Sequence, residues 1–140
     1  MNEYDLQRFV DAQDRVWDAV RAELKAGKKR THWMWFVFPQ LAGLGLSATA
    51  QHFAIADITE ATLYLEHEIL GPRLLQAAKL VAKVEGKSAG EIFGYPDDLK
   101  LHSSITLFAE AAPGTEVFGK VLDKYFSGKP DEQTLDLLAH

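Results

Sequence analysis

The residue best suited to acid–base chemistry in this sequence is His32. It lies between the basic run Lys28-Lys29-Arg30 and an aromatic run that begins at Trp33. An imidazole titrates close to neutral pH, so partial burial or a neighbouring charge can make it an effective proton donor or acceptor. We therefore predict His32 as a catalytic acid or base. The alternative is a structural histidine that hydrogen-bonds a backbone carbonyl at the edge of the core.

A glycine-rich loop (residues 40–47, the glycine loop) follows the aromatic run and leads into a predicted helix. It contains Gln40, Gly43 and Gly45, and Ser47 has the residue type of a helix N-cap. The N–H groups of such a loop, with the positive end of the helix, suit a phosphate or carboxylate. The spacing matches neither a P-loop nor a dinucleotide-binding fingerprint. A tight turn capped by Ser47 is the alternative.

A second polar group lies far along the chain, at Lys100, Ser103 and Ser104. Residues three and four apart share one face of a helix, so Lys100 can lie beside either serine. Two adjacent serines are unfavourable within a helix because their hydroxyls compete for backbone hydrogen bonds, which favours a role against a ligand. The alternative is a serine that bonds back to a carbonyl four residues earlier. Neither serine lies in a nucleophile elbow.

Arg73 is the third candidate for binding an anion. It follows Gly71-Pro72 in the first turn of a predicted helix, where the helix dipole disfavours a cation. An arginine in such a position indicates a carboxylate or an anionic ligand nearby. The alternative is a salt bridge to Asp97 or Asp98.

Together these side chains predict one pocket beside the aromatic run. Positive groups in a chain of net charge −5 favour an anionic or nucleotide-like small molecule, on which a tryptophan could stack. Any reaction would be metal-independent acid–base or phosphate chemistry, with His32 moving protons and no cofactor. The predicted ligand-binding residues are Trp33, Gln40, Gly43, Gly45, Ser47, Arg73, Lys100, Ser103 and Ser104.

A different class of function, a non-enzymatic interaction module, uses the same central segment. The basic run of residues 28–30, or an exposed part of the aromatic run of residues 33–38, could hold a protein partner. Exposure of Trp33, Trp35 and Phe36 distinguishes the two hypotheses, because burial of all three would leave no apolar surface for a partner.

Composition and spacing exclude several other classes. The absence of cysteine excludes disulfides, cysteine zinc sites and thiol chemistry, and the five histidines form no zinc-binding string. Fifteen basic against twenty acidic residues oppose unspecific binding to nucleic acid or to acidic membranes. No apolar run approaches the ~20 residues of a membrane helix. No basic region followed by an apolar one marks a signal peptide, so we expect a cytoplasmic protein.

The elements that must position these residues are helices. Apolar residues at steps of three and four, with glycine and proline breaks, predict about seven short helices in one all-α domain over residues 1–140. The first spans residues 5–26. A later helix has Pro72 at its first position, and Ser88 with Glu91 forms a capping box. The aromatic run is either a short helix or an irregular buried segment.

Four strings of the chain carry a family resemblance. They are the run from His32 to Gly45, the segment Leu70-Gly-Pro-Arg73-Leu, the triplet Ile92-Phe-Gly94, and the run from Asp97 to Phe108. They resemble the domain of unknown function 1810 family, over essentially the whole chain. The resemblance implies a small, mainly helical protein of bacterial type without an established activity.

Some relatives carry the label calpastatin, the inhibitor of calpain. An inhibitor of that type resembles a long disordered chain of low hydrophobicity that folds on its target. This sequence has 47% hydrophobic residues and helical stripes from end to end, which is typical of a packed domain.

Overall fold

The computed structural model describes residues 4–139 of the chain. Within that range the regular elements are ten helices, and the β-structure is one isolated parallel bridge between Leu41 and Ile55. The prediction of an all-α fold is confirmed, although the helices number ten rather than about seven. In chain order they are α1 (Gln7–Asp14), α2 (Trp17–Ala26), α3 (Met34–Val37), α4 (Ala48–His52), α5 (Ile58–Glu66), α6 (Leu70–Lys83), α7 (Ala89–Phe93), α8 (Asp97–Ala111), α9 (Glu116–Phe126) and α10 (Glu132–Leu138).

The prediction of one helix over residues 5–26 is wrong, because the chain breaks between α1 and α2. Val16 leaves the helical region, with φ −132° and ψ 2°. The apolar spacing of seven from Val10 to Trp17 fits a continuous helix as well as a broken one. Gln13, the polar residue on the buried face of α1, donates from Nε2 to Phe36 O at 2.7 Å.

The aromatic run forms the short helix α3 and its flanks at the centre of the core. Trp33 and Phe38 are fully buried, and Phe36 is 8% exposed. Their rings pack on those of Phe53 and Phe93 at centroid distances of 5.2 to 6.4 Å. Such contacts are the tilted and edge-to-face arrangements that aromatic pairs prefer. The run is therefore helix for one turn, within a buried segment.

Helix α8 is the central helix of the domain. It packs against α5, α7, α9 and α10, and Leu101, Ile105 and Phe108 are fully buried. A helix surrounded on most sides is apolar over more than one stripe. Its buried Thr106 accepts a hydrogen bond from the backbone N–H of Asp131 at 2.8 Å. That bond holds the segment before α10 against α8.

Helix α6 begins two residues earlier than predicted, so Pro72 is its third residue rather than its first. The N–H groups of the first turn have no partner within a helix, so proline is tolerated there. Gly71 is required by a close approach, because a Cβ atom at this position would lie 2.1 Å from the carbonyl oxygen of Leu65. The end of α5 and the start of α6 therefore pack backbone to backbone.

Two predicted caps lie where the sequence places them. The Ser47 hydroxyl accepts from the N–H of Ala50 at the start of α4. Ser88 and Glu91 form the reciprocal capping box of α7. Each satisfies backbone donors that a helix start leaves unpaired.

Candidate functional site

A cleft of about 370 Å³ opens where the glycine loop, the start of α8 and the start of α10 meet. We call it the Lys100 cleft. Its lining combines a cation, a carboxylate, amides, a hydroxyl and an imidazole with three apolar side chains. The lining residues are Gln40, Leu44, Gly45, Pro96, Leu99, Lys100, His102, Ser103, Asp131 and Gln133.

A chain of hydrogen bonds joins two walls of this cleft. Gln40 Nε2 donates to Ser103 Oγ at 2.6 Å, and the Ser103 hydroxyl donates to the carbonyl oxygen of Lys100 at 3.1 Å. The serine therefore bonds back by three residues, within its own helix, while it also receives the amide from the loop. This contact fixes the Gln40 side chain against α8.

The ammonium group of Lys100 is the cation of the cleft. It lies 5.1 Å from the centre of the Trp35 ring and 3.5 Å from Asp97 Oδ1. The other oxygen of Asp97 is 2.8 Å from the ammonium of Lys29, whose side chain is 7% exposed. The Asp97 carboxylate thus pairs with two ammonium groups and lies closer to that of the buried Lys29. A surplus positive charge remains on the side of Lys100, whose side chain is 23% exposed.

His102 of α8 and Asp131, just before α10, also line the cleft. The His102 imidazole stacks on the Phe126 ring at 4.1 Å, and its Nε2 lies 2.7 Å from the carbonyl oxygen of Lys129. Asp131 caps α10, because its Oδ2 accepts from both the N–H and the hydroxyl of Thr134. Both side chains are thus held in place by their own surroundings.

The structure brings four of the predicted site residues into this cleft and leaves six outside its lining. Gln40, Gly45, Lys100 and Ser103 lie together although Gln40 and Lys100 are sixty positions apart in the sequence. The six that the lining does not include are His32, Trp33, Gly43, Ser47, Arg73 and Ser104.

Trp33 belongs to a separate, buried cluster around the carboxylate of Glu23. Oε1 of Glu23 accepts from the backbone N–H groups of Arg30 and Thr31 at 2.7 and 3.0 Å, and from Trp33 Nε1 at 3.0 Å. Oε2 accepts from the Thr31 hydroxyl at 2.7 Å. Burial raises the pKa of Glu23, but these hydrogen bonds to the charged form outweigh burial and lower that pKa to about 2.

The Glu23 cluster fixes the loop of residues 28–32, which we call the basic loop. The backbone of Lys29 also donates to the carbonyl of Ile92 at 2.8 Å. His32 is an exposed residue of this loop. Its neighbour Trp33 is fully buried, with the indole N–H bound to Glu23, and offers no face to the solvent.

Arg73 of α6 lies in another cluster, where its partners come from α1 and from the start of α2. Its guanidinium is 2.9 Å from Asp14 Oδ1, 5.2 Å from the centre of the Trp17 ring and 3.4 Å from Gln13 Oε1. The predicted salt bridge to Asp97 or Asp98 is wrong. Helix α6 packs against α2, α5 and α9, so the nearest carboxylate to the arginine is the one that ends α1.

The same cluster continues inward to a buried phenol. Gln13 Nε2 donates to the Tyr64 hydroxyl at 2.9 Å, and this hydroxyl lies 3.3 Å from the carbonyl oxygen of Phe36. Burial of the ring raises the pKa of Tyr64, although the bond from Gln13 and the charges of Arg73 and Arg8 act in the opposite direction. Tyr64 is therefore a neutral structural donor that joins α1, α3 and α5.

The remaining three predicted residues also have structural surroundings. Gly43 has φ +104° and faces the side chain of Leu137. Ser47 is exposed and caps α4. Ser104 is fully buried in α8, and its hydroxyl has no hydrogen-bond partner among residues 4–139.

Comparison with known proteins identifies a family and gives no activity. The sequence profile of the family described as "Protein of unknown function (DUF1810)" matches residues 3–138. The chain belongs to the DUF1810 family. It is also similar to a conserved hypothetical protein of Mycobacterium tuberculosis, Rv1873, whose crystal structure was determined at 1.38 Å. The identity is 52%, the TM-score is 0.97, and 99% of each chain is covered. No functionally curated protein matches this chain.

Sequence reasoning missed several residues of the cleft in this DUF1810 protein. Pro96, the residue before α8, lies four positions before Lys100, so helical spacing could have added it to that face. Leu99 and His102 lie three apart on a neighbouring face, which the spacing from Lys100 does not select. Asp131 and Gln133 reach the cleft through the packing of α10 on α8. No local pattern in the sequence indicates that contact.

The described part of the DUF1810 chain has neither a metal-binding cluster nor a membrane-spanning helix. Residues 4–139 contain no cluster of three or more His, Asp or Glu side chains with the arrangement of a metal site. None of the ten helices within that range combines the length and the hydropathy that crossing a bilayer requires.

Proposed function

We propose that this DUF1810 protein binds a small anionic, nucleotide-like molecule in the Lys100 cleft. The observation that carries the proposal is the shared carboxylate of Asp97. It lies 2.8 Å from Lys29 and 3.5 Å from Lys100, so its single negative charge is divided between two ammonium groups. Asp131 also lines the cleft but forms no ion pair with Lys100, whose only carboxylate partner among residues 4–139 is Asp97. The Lys100 ammonium can therefore pair with a phosphate or carboxylate.

The size and lining of the cleft support a small ligand. Its volume of about 370 Å³ falls within the range of roughly 300–1,000 Å³ that small-molecule sites span. Leu44, Pro96 and Leu99 supply apolar surface, while Gln40 and Ser103 supply polar groups whose positions are fixed by a mutual hydrogen bond. A few oriented polar groups on an apolar surface are typical of ligand sites.

The function proposed for the cleft is ligand binding, and His32 has no catalytic role in it. That imidazole is exposed on the basic loop and does not line the cleft. The histidine that does line it, His102, has Nε2 at 2.7 Å from the carbonyl oxygen of Lys129 and its ring stacked on Phe126. Acid–base or phosphate chemistry would need a proton donor or acceptor that is free to reach the ligand. Binding needs no such group.

The test is titration calorimetry with inorganic phosphate and with a nucleoside monophosphate, on wild-type protein and on Lys100→Met. A charge-assisted contact contributes about 1.5–3 kcal/mol, so we expect Lys100→Met to weaken binding by roughly 10- to 100-fold. Lys120→Met is the matched control, since Lys120 is exposed on α9 and forms none of the ion pairs among residues 4–139. Absence of binding at millimolar ligand, or equal affinity of the two variants, would refute the proposal.

A second candidate function, an interaction surface for an acidic protein segment, is supported by the basic loop. Lys28, Arg30 and His32 are exposed there, while Glu23 holds the loop backbone from beneath through hydrogen bonds of 2.7 and 3.0 Å. A pre-ordered set of cations loses little conformational freedom on binding. Trp33 and Phe36 are buried but Trp35 is half-buried, so the condition of burial for all three is not met. The cations of the basic loop, and not the aromatic run, support this candidate.

Charge reversal tests this second candidate. In a pull-down followed by mass spectrometry, the double variant Lys28→Glu with Arg30→Glu should lose an acidic partner that wild type retains at low salt. Lys120→Glu with Lys79→Glu carries the same charge change on other exposed positions and should retain it. Equal recovery with both double variants would contradict the candidate.

A further inference from the structure

The hydrogen-bond chain in the Lys100 cleft fixes the direction in which the Gln40 amide points. A serine hydroxyl has one proton to donate, and that of Ser103 goes to the carbonyl oxygen of Lys100 at 3.1 Å. Towards Gln40 the serine oxygen therefore acts as an acceptor, so the amide must present its N–H group, at 2.6 Å. The amide oxygen is consequently turned away from Ser103.

The amide oxygen of Gln40 lies beside Gly45, within the same loop. A Cβ atom built on Gly45 would lie 3.8 Å from Gln40 Oε1 and only 2.5 Å from the Cβ atom of Ala50. Glycine thus keeps the space beside the amide open. No residue within 4–139 donates a hydrogen bond to Oε1, so the half-buried Gln40 keeps one oriented acceptor at the cleft.

A second acceptor lines the same cleft at Asp131. Its Oδ2 takes the two bonds from Thr134 that cap α10, and no group within the described range donates to Oδ1. An ionised carboxylate can only accept hydrogen bonds. The cleft therefore offers one cation, Lys100, together with two acceptors that are left open to solvent and that a ligand can pair.

We infer that the ligand of the Lys100 cleft is a phosphate that carries hydroxyl groups, as in a phosphorylated sugar or the ribose phosphate of a nucleotide. Its phosphate binds Lys100, and its hydroxyls donate to Gln40 Oε1 and Asp131 Oδ1. A plain anion has no hydroxyls placed to donate to these oxygens, and the Asp131 carboxylate repels its charge, whereas a ligand hydroxyl can donate to that carboxylate. This inference rests on the proposed function and adds the class of ligand.

The test compares two phosphate monoesters on wild-type protein, ribose 5-phosphate and methyl phosphate. They share the charged group and differ in the hydroxyls. We expect ribose 5-phosphate to bind at least about tenfold more tightly, since a binding site with oriented acceptors discriminates against a ligand that lacks the donors. Equal affinities would overturn the inference and leave the proposed function intact.

Variants of the two acceptors separate this preference from general phosphate affinity. Gln40→Met removes the amide oxygen and should cancel most of the preference for ribose 5-phosphate. Asp131→Asn keeps an N-cap of α10 but replaces one carboxylate oxygen by a donor, so it should cancel the preference while methyl phosphate binds as tightly as before or more tightly. Retention of the full tenfold preference in either variant, with folding checked by circular dichroism, would contradict the assignment of that acceptor.

The two proposals fail in different ways. If neither ester binds wild type, or if Lys100→Met leaves both affinities unchanged, the proposed function fails and the inference falls with it. If both esters bind through Lys100 with equal affinity, only the inference fails.

Discussion

The basic loop and the Lys100 cleft are built from the same components and differ in what remains unpaired. In each, a tryptophan of the aromatic run lies under a lysine ammonium, Lys29 over Trp33 and Lys100 over Trp35, both at 5.1 Å from the ring centre. The two ammonium groups even share the carboxylate of Asp97. The chemistry of the side chains therefore does not distinguish a structural cluster from a binding site.

Hydrogen-bond satisfaction does distinguish them. Around Glu23, both carboxylate oxygens receive donors from the protein, and the Trp33 indole N–H has its acceptor. In the cleft, the oxygens Gln40 Oε1 and Asp131 Oδ1 receive none from the described residues. Buried polar groups that are fully paired stabilise a fold, whereas oriented groups left open beside a cleft can be paired by a ligand.

The largest effect that this comparison predicts is on stability, at Glu23. Glu23→Ala leaves the N–H groups of Arg30 and Thr31 and the indole of Trp33 without their acceptor, which should lower the free energy of unfolding by about 3 kcal/mol. Urea denaturation at neutral pH measures it. Glu23→Gln keeps an acceptor oxygen and should lose less. A loss below about 1 kcal/mol for Glu23→Ala would show that the cluster does not hold the loop.

The same carboxylate predicts a pH dependence, with a sign that follows from its pKa. The pKa is about 2 in the folded protein against an ordinary value of 4.5, so the folded state binds this proton more weakly than the unfolded state. The stabilisation by Glu23 is therefore complete above pH 4.5 and is lost as the pH falls from there towards 2. Unfolding measured at pH 7, 4.5 and 3 should show the stability of wild type falling more steeply below pH 4.5 than that of Glu23→Gln. Parallel curves would contradict the assignment.

Local sequence patterns were sufficient for most of the fold. Capping residues such as Ser47 and Ser88 act within three or four positions of the chain, and so do the apolar stripes of each helix. The break between α1 and α2 at Val16 could not be predicted from such local patterns. Gln13, on the buried face just before it, is bound by Phe36 and Tyr64, which lie 23 and 51 positions further along the chain.

For the candidate site, too, local patterns indicated some residues, whereas others are brought in only by tertiary contacts. Lys100 and Ser103 could be paired from helical spacing, and Gln40 with Gly45 stood out through the composition of their loop. The meeting of that loop with α8 is a tertiary contact across 63 positions, and Asp131 joins through another. The prediction of Arg73 for the site rests on its charge and its place at a helix start. The ion pair of Arg73 with Asp14 shows that neither feature indicates where in the fold the side chain lies.

A smaller effect is expected within α8, from its two adjacent serines. Ser104 has a fully buried hydroxyl without a partner among residues 4–139, so Ser104→Ala removes an unpaired polar group and should raise the free energy of unfolding by up to about 1 kcal/mol. Ser103→Ala removes two hydrogen bonds and should lower it by a similar amount. Urea denaturation of both variants measures the contrast. Destabilisation by Ser104→Ala would reveal a role that its surroundings do not show.

The smallest effect is expected at His32, the residue whose type most favours chemistry. Its side chain is exposed on the basic loop, and the bonds that fix this loop run through the backbone and side chains of its neighbours to Glu23. His32→Ala should therefore change the free energy of unfolding by less than about 0.5 kcal/mol and leave the affinity for ribose 5-phosphate unchanged. Calorimetry and urea denaturation test the two statements independently. If His32→Ala weakened phosphate binding while Lys100→Met did not, the ligand would bind at the basic loop, and the comparison between the two regions would have to be reversed.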